Sequence, residues 1–406
     1  MEATGRAQRP RVLVLATWFP YPPDNGSRQR LWALLAGLGE RYEVDLLGIV
    51  DEAVAPDAVA HARERCAQVE VVPHRPFRPR SVRAIAAFAH RLPRAVVATD
   101  TPAAHAAVER LVAERGYDAV VVSQIHVARY ALGLSGLVRV LDDLEPQGLR
   151  TVSPESTRRE RLRDALTWVK VQRYVETVVR AFDATVVVSE REREAVLALA
   201  PDARVEVVPN GVDTDANRAG LAEAERDTMV YSGAPTFGAN LEAVRWFASE
   251  VLPAVRVARP DARFVVTGRV DSLPAETLPV ASGLAYTGYL DDVRPTIASS
   301  WCTVVPLRRG GGTRLKVLES LALGTPVVST TKGVEGLDLV PGEEVLVADT
   351  AEAFAATVID LMQDPQRRDA LAIAGRRAVE RRYDWRPIAR RFTDLVSNLD
   401  SHSSDR

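Results

Sequence analysis

The sequence predicts an α/β protein of two doubly wound, Rossmann-like domains facing each other across a ligand crevice. Three observations carry this. The chain has 406 residues, more than one hydrophobic core usually supports. Short β-branched runs alternate with helical patterns along nearly its whole length. The alternation also starts afresh after a stretch without apolar periodicity, Val208–Asp227, that reads as an interdomain linker.

In order, Arg11–Ala16 (RVLVLA) is a short apolar run of the kind buried on both faces of a parallel sheet. A Pro- and Gly-rich loop, Thr17–Gly26, leads into a helical pattern over Ser27–Leu38. Further strands are expected at Glu43–Ile49, Val69–Val72, Asp118–Ser123, Val138–Leu141, Ala184–Val188 and Val205–Val207. The second series is Thr228–Ser232, Arg263–Thr267, Leu284–Thr287, Cys302–Val305, Pro326–Val328 and Val345–Val347. Helices are expected at Asn240–Arg259, Thr313–Leu323, Ala351–Met362, Pro365–Arg382 and Trp385–Leu399. The domains are therefore 1–207 and 228–384, with 208–227 between them and a last helix and polar tail, 385–406, returning toward the first domain.

Composition narrows the function. With 47% hydrophobic and 26% charged residues and a net charge of −2, the chain reads as an ordinary globular enzyme rather than a nucleic-acid binder. Cys66 and Cys302 form no CxxC pair, and the six histidines show no ligand spacing, so neither a disulfide framework nor a metal site is expected. Asp213-Thr214-Asp215 and Asp291-Asp292 read as caps and solvated acids. No run approaches the roughly 20 apolar residues of a membrane span, and Met1–Pro10 lacks the apolar segment of a secretory signal. A cytoplasmic protein is expected, with any membrane contact peripheral at the inner face.

In doubly wound folds ligands sit at the carboxyl ends of the strands. There Pro306–Glu319 reads PLRRGGGTRLKVLE. Gly310, Gly311 and Gly312 permit close backbone approach, and a helix beginning near Thr313 offers first-turn amides to an anion. Arg308, Arg309, Arg314 and Lys316 supply charge for a diphosphate, and Glu319 is placed for hydroxyls beyond it. The alternative is a glycine-rich turn with a solvated basic helix start.

This stretch resembles the retaining family 4 glycosyltransferases of the GT-B fold. Their Glu-x7-Glu motif ends on Glu319 here, while its first Glu falls on Gly311. GGGTRxKxLE is similar to an exopolysaccharide-type branch. Tyr21–Arg30 (YPPDNGSRQR) resembles the family's first loop, Val207–Asp213 (VVPNGVD) its interdomain signature, and Tyr231–Phe247 the opening of its second domain. The resemblance implies donor contacts from Gly26, Arg28, Gly233, Tyr289, Arg308, Gly311, Gly312, Thr313, Arg314, Lys316 and Glu319, with Gly311 and Gly312 amides replacing the absent Glu. It implies a UDP- or GDP-linked sugar donor, a hydroxyl acceptor of which lipid-linked ones are a common class, no cofactor and no metal.

Where the family shows a histidine near the fifth strand, this chain has LDDLE, Leu141–Glu145, so Asp143 and Glu145, beside Asp142, become the candidates for orienting the acceptor hydroxyl. Ser27 is equally well read as a helix cap. His74–Arg94 holds six arginines, Phe77, Phe88 and no acid, which suits an anionic bilayer or a solvated face. The rival functions are a nucleotide-sugar epimerase of the same fold and a non-catalytic nucleotide-sugar-binding protein.

Overall fold

The computed structural model describes residues 9–142, 144, 158–312 and 314–403. The chain divides into two compact units, Met1–Pro209 with Arg386–Arg406, and Asn210–Trp385.

The first unit holds strands β1 (Arg11–Ala16), β2 (Glu43–Val50), β3 (Gln68–Pro73), β4 (Ala119–Ser123), β5 (Val138–Asp142), β6 (Ala184–Val187) and β7 (Val205–Val207). They form one parallel sheet in the order β3-β2-β1-β4-β5-β6-β7. Val12 to Ala16 have no solvent exposure, as expected of a central strand covered on both faces. Each such aliphatic side chain contributes about 1.5–3 kcal/mol on burial. The chain order reverses between β1 and β4, where their following loops separate. The helix Gly26–Arg41 packs closely on the last helix, Trp385–Ser403: a Cβ at Gly37 would lie 2.7 Å from that of Ala389.

The second unit repeats the pattern with β8 (Glu225–Ser232), β9 (Arg263–Thr267), β10 (Leu284–Gly288), β11 (Ser300–Val305), β12 (Val327–Ser329) and β13 (Leu346–Val347), in the order β10-β9-β8-β11-β12-β13, again all parallel. Val304, Val328, Val317 and Phe264, all without exposure, lie in its core.

Three expectations meet a different arrangement. The stretch 208–227 is not one free linker. Val208 donates its amide to Val187 at the edge of the first sheet, and β8 already begins at Glu225. Between them Val212 is buried in the second core, its amide bonded to Tyr383, and Arg376 donates to the carbonyls of Thr214, Asn217 and Ala322.

The helix expected over Asn240–Arg259 is instead Gly238–Trp246, a widened π-helical turn Phe247–Val251, and Leu252–Ala258. Pro253 has no N–H to donate and its ring crowds the preceding turn, which the π turn accommodates.

The helix expected from Thr313 starts at Leu315, with Arg314 at its N-cap. Arg314 donates to the carbonyls of Gly310 and Gly311, 2.9 and 2.8 Å away, and so folds the glycine loop back before the helix can begin.

Candidate functional site

In the second unit the carboxyl ends of four neighbouring strands supply the candidate residues. Beyond β8, Gly233 has φ +151°, and a Cβ there would come within 2.7 Å of the Lys316 Nζ and 3.0 Å of the Asn240 Nδ2. A side chain at this position would displace the lysine.

Lys316 itself, in the first turn of Leu315–Ala322, donates to the Tyr231 hydroxyl at 2.8 Å and to Asn240 Oδ1 at 3.2 Å, with its Nζ 3.9 Å from the centre of the Tyr231 ring. The Tyr231 hydroxyl donates in turn to Asn240 Oδ1 at 2.6 Å, and Asn240 Nδ2 is held by the carbonyl of Ala234 at 2.9 Å. The lysine is thus fixed by neutral partners. Burial, and next the neighbouring Arg314, push its pKa down to about 7, against an upward pull from Glu319. Lys316 and Glu319, three residues apart, share a helix face. An anion entering here would meet a cation not already neutralised by a direct carboxylate bond.

The glycine loop before that helix carries φ +103° at Gly310 and φ +80° at Gly312, conformations that glycine alone adopts without strain. Gly311 is exposed; Thr313 lies outside the described residues. Arg314 is buried, 6% exposed, gripping the loop, and its Nη2 stands 3.9 Å from Glu335. Arg308 donates from Nε and Nη2 to Glu242 Oε1, at 2.8 and 2.5 Å, and lies 5.4 Å from the Trp246 ring. Loop positions β9+1 and β10+1 meet differently: Gly268 (φ +106°) abuts Ala234, and the Arg269 guanidinium stacks 4.5 Å from the ring of Tyr289.

Beside these, Leu307, Arg308, Thr330, Thr331, Lys332, Glu335 and Asp349 line an open cavity of about 440 Å³ at the ends of β11, β12 and β13. Thr331 donates its amide and hydroxyl to Asp349, at 2.8 and 2.7 Å. Tyr231, Asn240, Glu335 and Asp349 were not singled out from sequence; the strand-end position of Tyr231, Thr330 and Asp349 was the available signal.

In the first unit, Gly26 opens the helix after β1, but Asn25 caps it, accepting from the Arg28 amide at 3.1 Å. Ser27 instead accepts from Gln124 Nε2 at 3.2 Å. Gln124 sits at φ +75° after β4 and also accepts from Trp18 Nε1 at 3.0 Å, so the two loops at the switch point are tied together. Arg28 is held by Asp24, at 2.9 Å, and by Glu52.

Asp142 is 1% exposed and pairs in two-pronged fashion with the equally buried Arg30, at 2.5 and 2.9 Å. Arg30 also donates to the Val208 carbonyl at 3.0 Å. Asp142 is therefore locked in the frame. Asp143 and Glu145 lie outside the described residues.

In each of the acidic runs Asp213-Thr214-Asp215 and Asp291-Asp292, one aspartate caps the following backbone. Asp213 accepts from the amides of Asp215 and Ala216, at 3.0 and 2.8 Å. Asp292 accepts from the Arg294 amide and pairs with its guanidinium, which lowers its pKa. Among the described residues no three His, Cys, Asp or Glu side chains gather as a metal site.

Two α/β units, each built on an all-parallel sheet, give the chain the GT-B fold of glycosyltransferases, as its structural neighbours show. Sucrose-phosphate synthase from Thermosynechococcus elongatus aligns over 97% of this chain and 100% of its own, with TM-score 0.70 at 17% identity. Anabaena HepE in complex with UDP aligns over 96% and 100%, with TM-score 0.65 at 12% identity. The family model described as Glycosyltransferase Family 4 matches residues 24–216, and that described as Glycosyl transferases group 1 matches residues 226–364. The chain belongs to the family 4 glycosyltransferases. It is 30% identical over 161 residues to the GDP-mannose-dependent monoacylated alpha-(1-6)-phosphatidylinositol monomannoside mannosyltransferase of Corynebacterium glutamicum. That match spans 37% of this chain and 42% of the relative's length.

Proposed function

We propose that this protein transfers a sugar from a UDP- or GDP-linked donor to an acceptor hydroxyl, with retention of the anomeric configuration. The observation that carries the reading is Lys316, held by Tyr231 and Asn240 beside a glycine loop at the strand ends. As the bond between the anomeric carbon and the phosphate oxygen breaks, negative charge grows on the departing diphosphate. Lys316 and the first-turn amides of its helix stabilise that charge, and need no reorganisation to do so. Arg314 contributes by fixing the loop and by its field rather than by direct grip.

Glu319 takes ribose hydroxyls of the donor, and Tyr289 with Arg269 the base. The acceptor oxygen bonds the anomeric carbon on the face the phosphate leaves, and its proton passes to the departing phosphate oxygen. Gly26 and Arg28 complete the diphosphate site, and Asp143 and Glu145 orient the acceptor. The products belong to surface polysaccharide, glycolipid or natural-product glycoside synthesis, within an exopolysaccharide-type branch. Two buried, free cysteines, each with a pKa pushed up to about 12 by burial, suit a reducing cytoplasm.

Thermal shift against a panel of nucleoside diphosphates and their sugars identifies the donor, since the tightest ligand raises apparent stability most. Product analysis then separates the rivals. An epimerase converts donor alone, and a binding protein gives a shift without turnover. No shift with any nucleotide would sink the reading.

A further inference from the structure

Five of the thirteen large apolar side chains exposed among the described residues crowd into one short segment of the first unit: Phe77, Val82, Ile85, Phe88 and Leu92. The short helix Val82–Ala86 within it is turned inside out. Ala84 and Ala87 face the protein, 0% and 2% exposed, while Val82 and Ile85, three apart and so on one face, stand 84% and 56% exposed.

The segment is nonetheless built. Ser81 caps the helix through the Ala84 amide, and the buried Arg94 donates to the carbonyls of Ala84 and Pro79, at 2.8 and 2.6 Å. The same guanidinium lies 3.9 Å from the Phe88 ring and 5.8 Å from that of Phe77, so one buried cation sets both aromatic rings. Lys170 donates to the carbonyls of Phe88 and His90, both at 2.7 Å, bringing the helix Arg158–Ala181 alongside.

Around the apolar tips stand Arg75, Arg78, Arg80, Arg83 and Arg91, all exposed, and the sequence has no acid from Val71 to Thr99. We infer that this segment is a docking surface for an anionic lipid bilayer. The aliphatic and aromatic tips enter the interface, and the arginines meet the lipid phosphates. A nucleic acid would use the arginines but leave Val82, Ile85 and Leu92 without a role. The inference is independent of the transfer reaction.

The test is cosedimentation of the full chain with vesicles of phosphatidylcholine alone and of phosphatidylcholine mixed with phosphatidylglycerol, without donor or acceptor. The expected result is binding to the mixed vesicles only, weakened by salt. Binding should also be at least about tenfold weaker for the double variant Val82→Glu/Ile85→Glu and for the triple variant Arg78→Glu/Arg80→Glu/Arg83→Glu. Equal binding to both vesicles overturns it, as does unchanged binding of both variants. So does a wild-type dimer that Val82→Glu/Ile85→Glu makes monomeric without affecting lipid. The comparison of vesicles needs no variant. Because no turnover is read, a negative result leaves the proposed transfer standing, and a failed transfer leaves this surface standing.

Discussion

The two units share one strand order, with β7 added in the first, and both close arginines with carboxylates, Arg308 by Glu242 in the second, yet the lysine beside the glycine loop is held in another way. In the first, cations are already closed by carboxylates: Arg30 by Asp142, Arg28 by Asp24 and Glu52, Arg129 by Asp100 at 3.4 Å. In the second, Lys316 rests on a phenol and an amide. A closed pair gives rigidity and little attraction for a ligand anion. A lysine on neutral partners keeps its charge, or its ability to regain one, for whatever arrives. On the proposed reading the diphosphate meets Lys316 directly, whereas Arg28 reaches it only by giving up Asp24 or Glu52.

That contrast can be broken most forcefully at Arg30. Arg30→Met leaves Asp142 buried without its partner, and urea unfolding should show a loss of about 3–5 kcal/mol. Arg30→Met/Asp142→Leu should recover much of it. A harmless single variant would mean that the pair is not closed as described.

Next come Lys316→Ala and Glu319→Ala. Each should lower turnover or donor affinity at least about tenfold, roughly 1.4 kcal/mol, in steady-state kinetics. Gly233→Ala should act in the same direction with Lys316 intact, because the new methyl occupies the lysine's place. If neither lysine nor glutamate variant changes the kinetics, the site assignment goes.

The pH profile sharpens the comparison further. The free lysine has a pKa depressed to about 7, so above that value it must take up a proton to meet an anion. Donor affinity should be flat below about pH 7 and fall by up to about tenfold per unit above it, and Lys316→Met should flatten the profile. A fall on the acid side alone would contradict the sign. The smallest effect belongs to Asn25→Ala, about 1 kcal/mol of stability from the lost cap.

The parallel sheets were legible because buried strands such as Arg11–Ala16 and Ala119–Ser123 are almost uninterrupted β-branched and aliphatic runs. The glycine loop was legible for the same local reason. What escaped depends on partners far along the chain. Val212 is fixed by Tyr383, and Lys316 by Tyr231, 85 positions away, so no local pattern could assign the first to a core or the second to a phenol. The later start of the helix at Leu315 follows from Arg314 turning back on the glycines, a choice that helical propensity does not record. The π turn just before Pro253, by contrast, was written in the sequence: the helical run continues through it from Gly238 to Ala258, and the proline marks where it widens.

Gly37 lies against Ala389, and Arg386 onward joins the first unit although 176 residues of the second intervene. In covalent terms the second unit is an insertion, entered after Pro209 and left at Trp385. Excising it by a cut after Pro209 therefore strips its host of the helix carrying Phe392 and Val396, both without exposure. An independently folding first half has to be made by joining the two flanks directly, whereas the span 210–385 can be lifted out as one uninterrupted piece.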